Sequence, residues 1–201
     1  MSAALTQFPL PSDVFRISVE KYHEMIRAGA LTADDPVELL EGVLVFKTPK
    51  DEPHNASVDL LNDELRRLAP DGWSSRNQGS LTLPDGEPEP DAALVRGDRR
   101  HYVRLGRKPG PADTALVVEV ADASLRRDRT AKLRSYARAG IAVYWIVNLA
   151  DRTIEVHSEP DPQAQPEPLY KSRVVVNAGG SVPVVVENRV VAELKVADVL
   201  P

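Results

Sequence analysis

The sequence predicts an α/β domain with a C-terminal β appendage, on three observations. Amphipathic helical patterns alternate with short apolar, β-branched runs, which is typical of the α/β class. Residues 114–121 read TALVVEVA and are apolar at almost every position, as in an interior strand covered on both faces. Residues 170–194 are rich in valine and show strand patterns. The length of 201 residues suits one domain, with a core at about 37–158 and a β extension at about 169–201.

The first third of the chain predicts two helices separated by a pair of strands. Residues 18–29 place apolar side chains on one helical face, with Ser18 as the N-cap and Gly29 near the end. Residues 37–47 predict two short strands around a Glu-Gly turn. Residues 53–70 repeat valine and leucine at helical spacing until a proline ends the pattern.

Strand patterns dominate the second half of the chain. Residues 79–96 predict a strand, a proline-rich turn and a second strand that begins near Asp91. A basic loop leads to the interior strand at 114–121, and a helix follows from about Leu125 to Ala139. The remaining elements are a hairpin, an exposed proline-rich loop and two or three C-terminal strands, at residues 142–148, 152–158, 159–168 and 169–201.

Composition excludes several classes of protein and site. The absence of cysteine excludes disulfides, thiolate metal sites and cysteine nucleophiles. No apolar run approaches the roughly 20 residues that a membrane-spanning helix needs, so no membrane partner is expected. The start, MSAALTQFPLPSD, lacks both a basic region and a long apolar stretch, so no signal peptide is expected. These features predict a cytoplasmic protein.

Positive charge is concentrated in two stretches of an acidic chain. The formal net charge is −5, yet the windows Arg96–Lys108 and Arg126–Arg138 each hold six Lys or Arg residues against one Asp. Segregated charge of this kind can form a basic face that contacts nucleic acid. The alternative is that the two stretches are solvated and never meet in space.

Three residues in chain order suggest a catalytic site. Asp91 begins one predicted strand, Glu119 lies inside the next, and Lys132 lies on the helix after that. If the two strands are neighbours, the carboxylates can converge on one face, where a cation would relieve their repulsion. Oxygen ligands without nearby Cys or His favour Mg²⁺ or Mn²⁺ over zinc. An ammonium group beside such a metal can orient water and stabilise charge on phosphorus, which suits phosphodiester hydrolysis.

The residues that carry this pattern resemble a known superfamily. The succession of PD in EPEPDAALV, an acidic strand in LVVEVADAS and a lysine in the following helix is similar to the PD-(D/E)XK nucleases. Within it, nearly the whole chain resembles the Uma-type family of bacterial restriction-endonuclease-like proteins. The most specific part is the segment 116–149, LVVEVADASLRRDRTAKLRSYARAGIAVYWIVNL.

The resemblance implies a restriction-endonuclease-like fold, in which helices flank a mixed central sheet. It also implies that Asp91 and Glu119 are metal ligands, together with the backbone carbonyl of Val120. The chain departs from the superfamily pattern because Ala121 stands where a lysine is expected, two residues after the glutamate. The resemblance implies that Lys132 takes over this role from the helix.

Two further site residues are expected from the same resemblance. Members of the superfamily often carry an acidic residue ahead of or on the first helix, and Glu41 is the nearest match, followed by Glu38. His54, at the start of a helix, could approach the metal through a water.

Each assignment has a structural alternative. Glu119 could form a buried ion pair with Lys132 without metal. Asp91 could be a turn residue after proline. Asp128 and Tyr136 share a helical stripe with Lys132, and Asp128 could pair with that lysine at i,i+4 rather than serve the site.

The sequence therefore favours a Mg²⁺-dependent endonuclease that hydrolyses DNA phosphodiester bonds. Two alternatives stay open: a nuclease-fold module without turnover that binds nucleic acid or protein, and a metal-dependent hydrolase of small phosphoesters. A homodimer would supply two sites for double-strand cleavage, and the valine-rich tail offers an edge for pairing.

Overall fold

The computed structural model describes residues 13–201, apart from the side chain of Arg99, and ten strands account for most of its core. The strands are β1 (Val37–Leu40), β2 (Val43–Phe46), β3 (Trp73–Asn77), β4 (Ala92–Arg96), β5 (Thr114–Ala121), β6 (Val143–Asn148), β7 (Thr153–Asp161), β8 (Leu169–Asn177), β9 (Ser181–Val186) and β10 (Arg189–Lys195). Six of them form one sheet in the order β3-β4-β5-β6-β7-β8. The pair β5–β6 is parallel and the other pairs in this sheet are antiparallel, so the sheet is mixed.

Helices cover this sheet on both faces. The helices are α1 (Val19–Arg27), α2 (Glu52–Leu68), α3 (Arg99–Leu105), α4 (Leu125–Arg127), a π-helical turn (Asp128–Lys132) and α5 (Leu133–Arg138). Of these, α1 packs on the β1–β2 hairpin. One face packs against α2 and the β9–β10 hairpin, through Leu61, Leu65 and Val184. The other face packs against α5, through Tyr136 and Ala137. The parallel connection from β5 to β6 requires such a crossover, and α4, the π turn and α5 provide it.

The sequence predictions for the helices and the central strands are confirmed in outline. The Ser18 hydroxyl accepts a hydrogen bond from the Lys21 amide at 3.2 Å and caps α1, and β1 and β2 form the expected hairpin. Asp51 caps α2 in the same way, through the His54 amide at 3.1 Å. The mixed sheet flanked by helices is the architecture that the resemblance implied.

Three elements differ from the prediction. Residues 79–83 form no strand beyond one bridge between Leu83 and Gly86, because the prolines that follow cannot donate ladder hydrogen bonds. The edge strand is instead β3, whose polar sequence lacks alternation. The predicted basic loop contains α3, which Asp98 caps by accepting from the His101 amide at 2.7 Å.

The C-terminal extension is also divided differently than predicted. Strand β8 belongs to the central sheet, where it pairs with β7 over its whole length. The separate unit is the β9–β10 hairpin, which packs its buried valines on the sheet. The predicted absence of a signal peptide concerns residues 1–12, which lie outside the described residues. Within residues 13–201, no helix is long and apolar enough to cross a membrane.

Packing between α2 and the sheet should dominate stability, and two adjacent leucines test this. Leu61 is fully buried, whereas Leu60 is 41% exposed. We expect Leu61→Ala to lower the free energy of unfolding by about 2–5 kcal/mol, because it removes buried apolar contacts and leaves a cavity. Leu60→Ala should change it by less than about 0.5 kcal/mol. Urea denaturation followed by circular dichroism measures both, and equal losses would contradict the assigned packing.

Candidate active site

The carboxylates of Asp91 and Glu119 face the same cleft. Ala92 lies opposite Val118 in the β4–β5 ladder, so the next pair along the same register is Asp91 with Glu119. Directly opposed residues of an antiparallel pair point to the same face. Both side chains line one cleft at this end of the sheet. The structure therefore brings together the two acids that the sequence placed on neighbouring strands.

Asp91 is held by three donors. Its Oδ2 accepts from the Val120 amide at 2.9 Å and lies 3.2 Å from His54 Nε2, while its Oδ1 lies 3.0 Å from Lys50 Nζ. Burial raises the pKa of this carboxyl, but the His54 hydrogen bond and the charges of Lys50 and Lys132 outweigh burial and lower it to about 2. Asp91 is therefore ionised at neutral pH.

Glu119 lies deeper and is held by two groups. Lys132 Nζ approaches its Oε2 at 2.8 Å, and the Tyr136 hydroxyl donates to its Oε1 at 2.7 Å. The contact between Glu119 and Lys132, which the sequence analysis left open as the alternative to a metal site, is therefore present. A buried pair of this kind costs desolvation energy, which further hydrogen bonds such as that from Tyr136 offset.

An excess of negative charge surrounds this pair. Burial raises the pKa of Glu119 to about 8, and the carboxylates of Asp91, Asp128 and Glu38 add to the increase, although Lys132 opposes it. Burial lowers the pKa of Lys132, but the carboxyl groups of Glu119, Glu38, Asp128 and Asp91 outweigh burial and raise it. The lysine consequently stays charged, and four carboxyl groups surround it.

The π-helical turn determines where Lys132 and its neighbours point. Such turns are rare and are found frequently at functional sites. Within this turn, Asp128 receives a hydrogen bond from the Ser124 hydroxyl at 2.5 Å, and burial raises its pKa to about 6. The Tyr144 hydroxyl donates to the Asp128 carbonyl at 3.0 Å, which fixes the turn on the sheet. The direct pair between Asp128 and Lys132, which the sequence analysis left open as an alternative, is replaced by this serine contact.

Glu41, the acid that the sequence analysis placed first, lies outside the cleft. Glu38, which it placed second, lines the cleft instead. Glu41 forms a two-pronged ion pair with Arg134, at 2.9 and 2.8 Å. Glu38 is 3% exposed, lines the cleft and lies 3.7 Å from Lys132 Nζ. Glu38 lies within β1, whereas Glu41 lies in the turn that follows it, and of the two only Glu38 lines the cleft.

The sequence analysis missed two lysines at the cleft rim. Lys47 and Lys50 line the cleft together with the two central acids and with Arg127 of the predicted basic window. The two lysines lie in or beside the irregular segment between β2 and α2, where no periodic pattern marks a residue as functional. Their signal in the sequence is limited to the short distance from the predicted site residue His54.

The two basic windows do not form one face at the cleft. In the window 126–138, most cations pair inside the protein: Arg127 with the Phe46 carbonyl and Thr48, Arg129 with Glu155, Lys132 with Glu119, Arg134 with Glu41, and Arg138 with Asp85. The window 96–108 begins at Arg96, at the far end of β4 from Asp91. Arg96 lies five residues after Asp91 along the strand, which corresponds to roughly 17 Å. Charge counting alone could not reveal these partners.

The residues of the cleft fit a divalent metal with oxygen ligands. The buried carboxylates Glu38, Asp91, Glu119 and Asp128 outnumber the buried Lys132, and a cation would relieve this excess. Within residues 13–201, no group of three or more Asp, Glu or His side chains forms a metal cage. The implied set of two carboxylates and the Val120 carbonyl is smaller than such a cage. The fit therefore rests on donor chemistry and charge.

Comparison with known proteins identifies the family. A family model with the description "Putative restriction endonuclease" matches residues 19–186. The chain belongs to this family, Uma2. A search of curated proteins found no match. Among solved structures, this Uma2 member is similar to a crystal structure described as a putative nuclease belonging to DUF820 from Anabaena variabilis ATCC 29413. The TM-score is 0.61 at 14% identity, over 91% of this chain and 97% of that chain, so this likeness concerns the fold.

The raised pKa of Glu119 predicts a pH-dependent stability of the metal-free protein. At pH values between 4.5, the ordinary pKa of glutamate, and about 8, the Glu119 carboxyl holds a proton in the folded state that it has released in the unfolded state. The stabilisation is complete below pH 4.5 and is lost as pH rises through about 8, with a slope of up to about 1.4 kcal/mol per pH unit. We expect Glu119→Gln to flatten the fall in the free energy of unfolding between about pH 5.5 and 8.5, because the substituted amide carries no proton to release.

Urea denaturation in the presence of EDTA measures this slope. Glu193→Gln on β10 is the matched control, since its carboxyl is exposed, and it should keep the wild-type slope. Parallel pH profiles for wild type and Glu119→Gln would contradict the expectation.

Proposed function

We propose that this Uma2 member is a Mg²⁺- or Mn²⁺-dependent endonuclease that hydrolyses DNA phosphodiester bonds. The observation that carries the proposal is the meeting of Asp91, Glu119 and Lys132 in one cleft. Two opposed strand positions supply the acids, and the helical crossover supplies the ammonium at 2.8 Å from Glu119. The Uma2 family and the nuclease-like neighbour support an activity of this class.

The carboxylates would hold the metal and the lysine would act on the phosphate. Asp91, Glu119 and the Val120 carbonyl are the proposed ligands. A bound Mg²⁺ would supply a Lewis acid that stabilises developing charge on the phosphate and acidifies a coordinated water. Lys132 remains protonated among its carboxylates, so it can donate to a phosphate oxygen or orient the attacking water.

Two neighbouring side chains orient these groups. His54 keeps Asp91 Oδ2 in place from the first turn of α2. The Tyr136 hydroxyl does the same for Glu119 Oε1 from α5. Because both carboxylates are fixed before substrate arrives, little reorganisation is needed when charge develops.

Cations at the cleft rim would contact the DNA backbone. Lys47 is 37% and Lys50 31% exposed at the side chain, and their present partners are Glu89 and Asp91. Phosphate contacts of this kind give affinity without sequence preference and a strong dependence on salt. The expected contacts from Arg96–Lys108 would come from a separate surface on α3, where Arg100 and Arg104 are exposed.

Substitution of the three central residues tests the nuclease proposal. We expect Asp91→Asn, Glu119→Gln and Lys132→Met each to reduce Mg²⁺-dependent plasmid nicking by about 100-fold or more, since even residues that only support metal ligands contribute 10- to 100-fold. The measurement is the conversion of supercoiled plasmid to open circles. A parallel assay with a small phosphodiester distinguishes a DNA endonuclease from a hydrolase of small phosphoesters.

The matched control is Asp59→Asn, which alters an exposed carboxylate of α2 away from the cleft and should keep full activity. Nicking that survives Asp91→Asn would mean a contaminating nuclease or a different site. No nicking by the wild type under any divalent metal, combined with salt-dependent DNA binding, would favour the binding module instead.

Metal binding can be measured without turnover. We expect Mn²⁺ to raise the thermal midpoint of the wild type, since a ligand at 100 times its dissociation constant stabilises by about 2.7 kcal/mol. Asp91→Asn and Glu119→Gln should lose both this shift and the heat of Mn²⁺ binding in calorimetry, while Asp59→Asn should keep them. Unchanged Mn²⁺ binding in both site variants would place the metal elsewhere.

A further inference from the structure

Strand β8 forms one edge of the central sheet and leaves an apolar surface uncovered. It pairs with β7 on one side, and within the described part of the chain its other side is an edge. Val174 is 53% exposed and Val175 47% exposed, in the middle of this nine-residue strand. The unpaired backbone and the exposed valines lie together.

This edge lacks most of the devices that protect edge strands. Natural edges are kept short, charged or twisted by bulges and proline, because an open ladder recruits other strands. The opposite edge, β3, has five residues and a polar sequence, WSSRN. Strand β8 is longer and has no proline, and its pairing with β7 is interrupted at one position, Lys171 opposite Glu159. Lys171 and Arg173 are its two charged residues.

We propose that β8 pairs with β8 of a second copy of this chain. The two strands run antiparallel across a twofold axis and join the two six-stranded sheets into one. A copy of the same strand is the occupant that matches its length and its valine content on both faces. This pairing is independent of the proposed nuclease activity.

The positions of charge select one register for this pairing. In an antiparallel pair related by a twofold axis, a residue a given number of positions before the axis lies opposite the partner's residue the same number of positions after it. An axis at residue 171 or 173 would oppose two identical cations, and an axis at residue 172 would oppose Lys171 and Arg173. Like charges directly opposite each other destabilise a sheet.

An axis at Val174 gives the longest register without such conflict. Val174 then lies opposite the partner's Val174, and Arg173 lies opposite the partner's Val175. Lys171 lies opposite Asn177 at the end of the ladder. Val174 thereby forms a cross-strand apolar pair with its counterpart, and the apolar stem of the partner's Arg173 covers Val175 on the other face.

Charge substitution at the axis tests both the dimer and its register. Sedimentation equilibrium of the wild type should show a monomer–dimer equilibrium. Val174→Lys and Val174→Glu should each raise the dimer dissociation constant by about 100-fold or more, because each sets two like charges opposite each other. An equimolar mixture of the two variants should form the heterodimer, since the opposed charges are then complementary.

The control variant is Val190→Lys on β10, which changes a valine that is 61% exposed but lies outside the central sheet. It should dimerise as the wild type does. A wild type that remains monomeric at the highest attainable concentration overturns the proposal, and so does a dimer that tolerates Val174→Lys. A mixture that stays monomeric overturns the register centred on Val174.

Discussion

The buried contact between Glu119 and Lys132 is the constraint on which this structure depends. Removing two opposite charges from water costs several kcal/mol per ion unless their geometry and hydrogen bonds are good. Tyr136 satisfies the second oxygen of Glu119 at 2.7 Å, and Glu38 stands 3.7 Å from the lysine. These partners come from three separate elements, so the ion pair fixes β1, β5 and the helical crossover relative to one another. A fold that had only to be stable could have placed apolar residues here.

The topology explains how a lysine of the helical crossover, rather than one of β5, reaches Glu119. Glu119 and Ala121 lie on the same face of β5, because they are two residues apart. Ala121 is fully buried beneath the crossover, where a lysine side chain would have no room. The parallel connection to β6 must pass over this face, and its π turn brings Lys132 to the acid from above. The charge therefore arrives at the same place by another path along the chain.

Periodic signals carried the sequence predictions, and features without a period escaped them. The valine-rich run of β5 and the leucine spacing of α2 were recognised because burial imposes a pattern on many residues at once. Strand β3 and helix α3 were missed, because a polar edge strand and a short capped helix impose little periodic pattern on the sequence. The convergence of Asp91, Glu119 and Lys132 followed from strand adjacency and a resemblance. The choice between Glu38 in β1 and Glu41 in the turn after it depends on which of them faces the cleft, and tertiary contacts with Lys132 and Arg134 decide that.

The arginines after β5 show why composition misleads about function. Their density suggested a surface for DNA, yet Arg134 and Arg138 are occupied by Glu41 and Asp85. Glu41 follows β1 in the turn, with a positive φ of 50°, and the two-pronged contact with Arg134 holds that turn. Glu38 lies three residues earlier on the same hairpin, so a turn held at Glu41 keeps Glu38 in the cleft. One helical segment thus supplies the lysine of the site and, two residues later, the arginine that positions the third carboxylate beside it. A charge count describes how many cations a segment contains, whereas their function is determined by the acids that they meet.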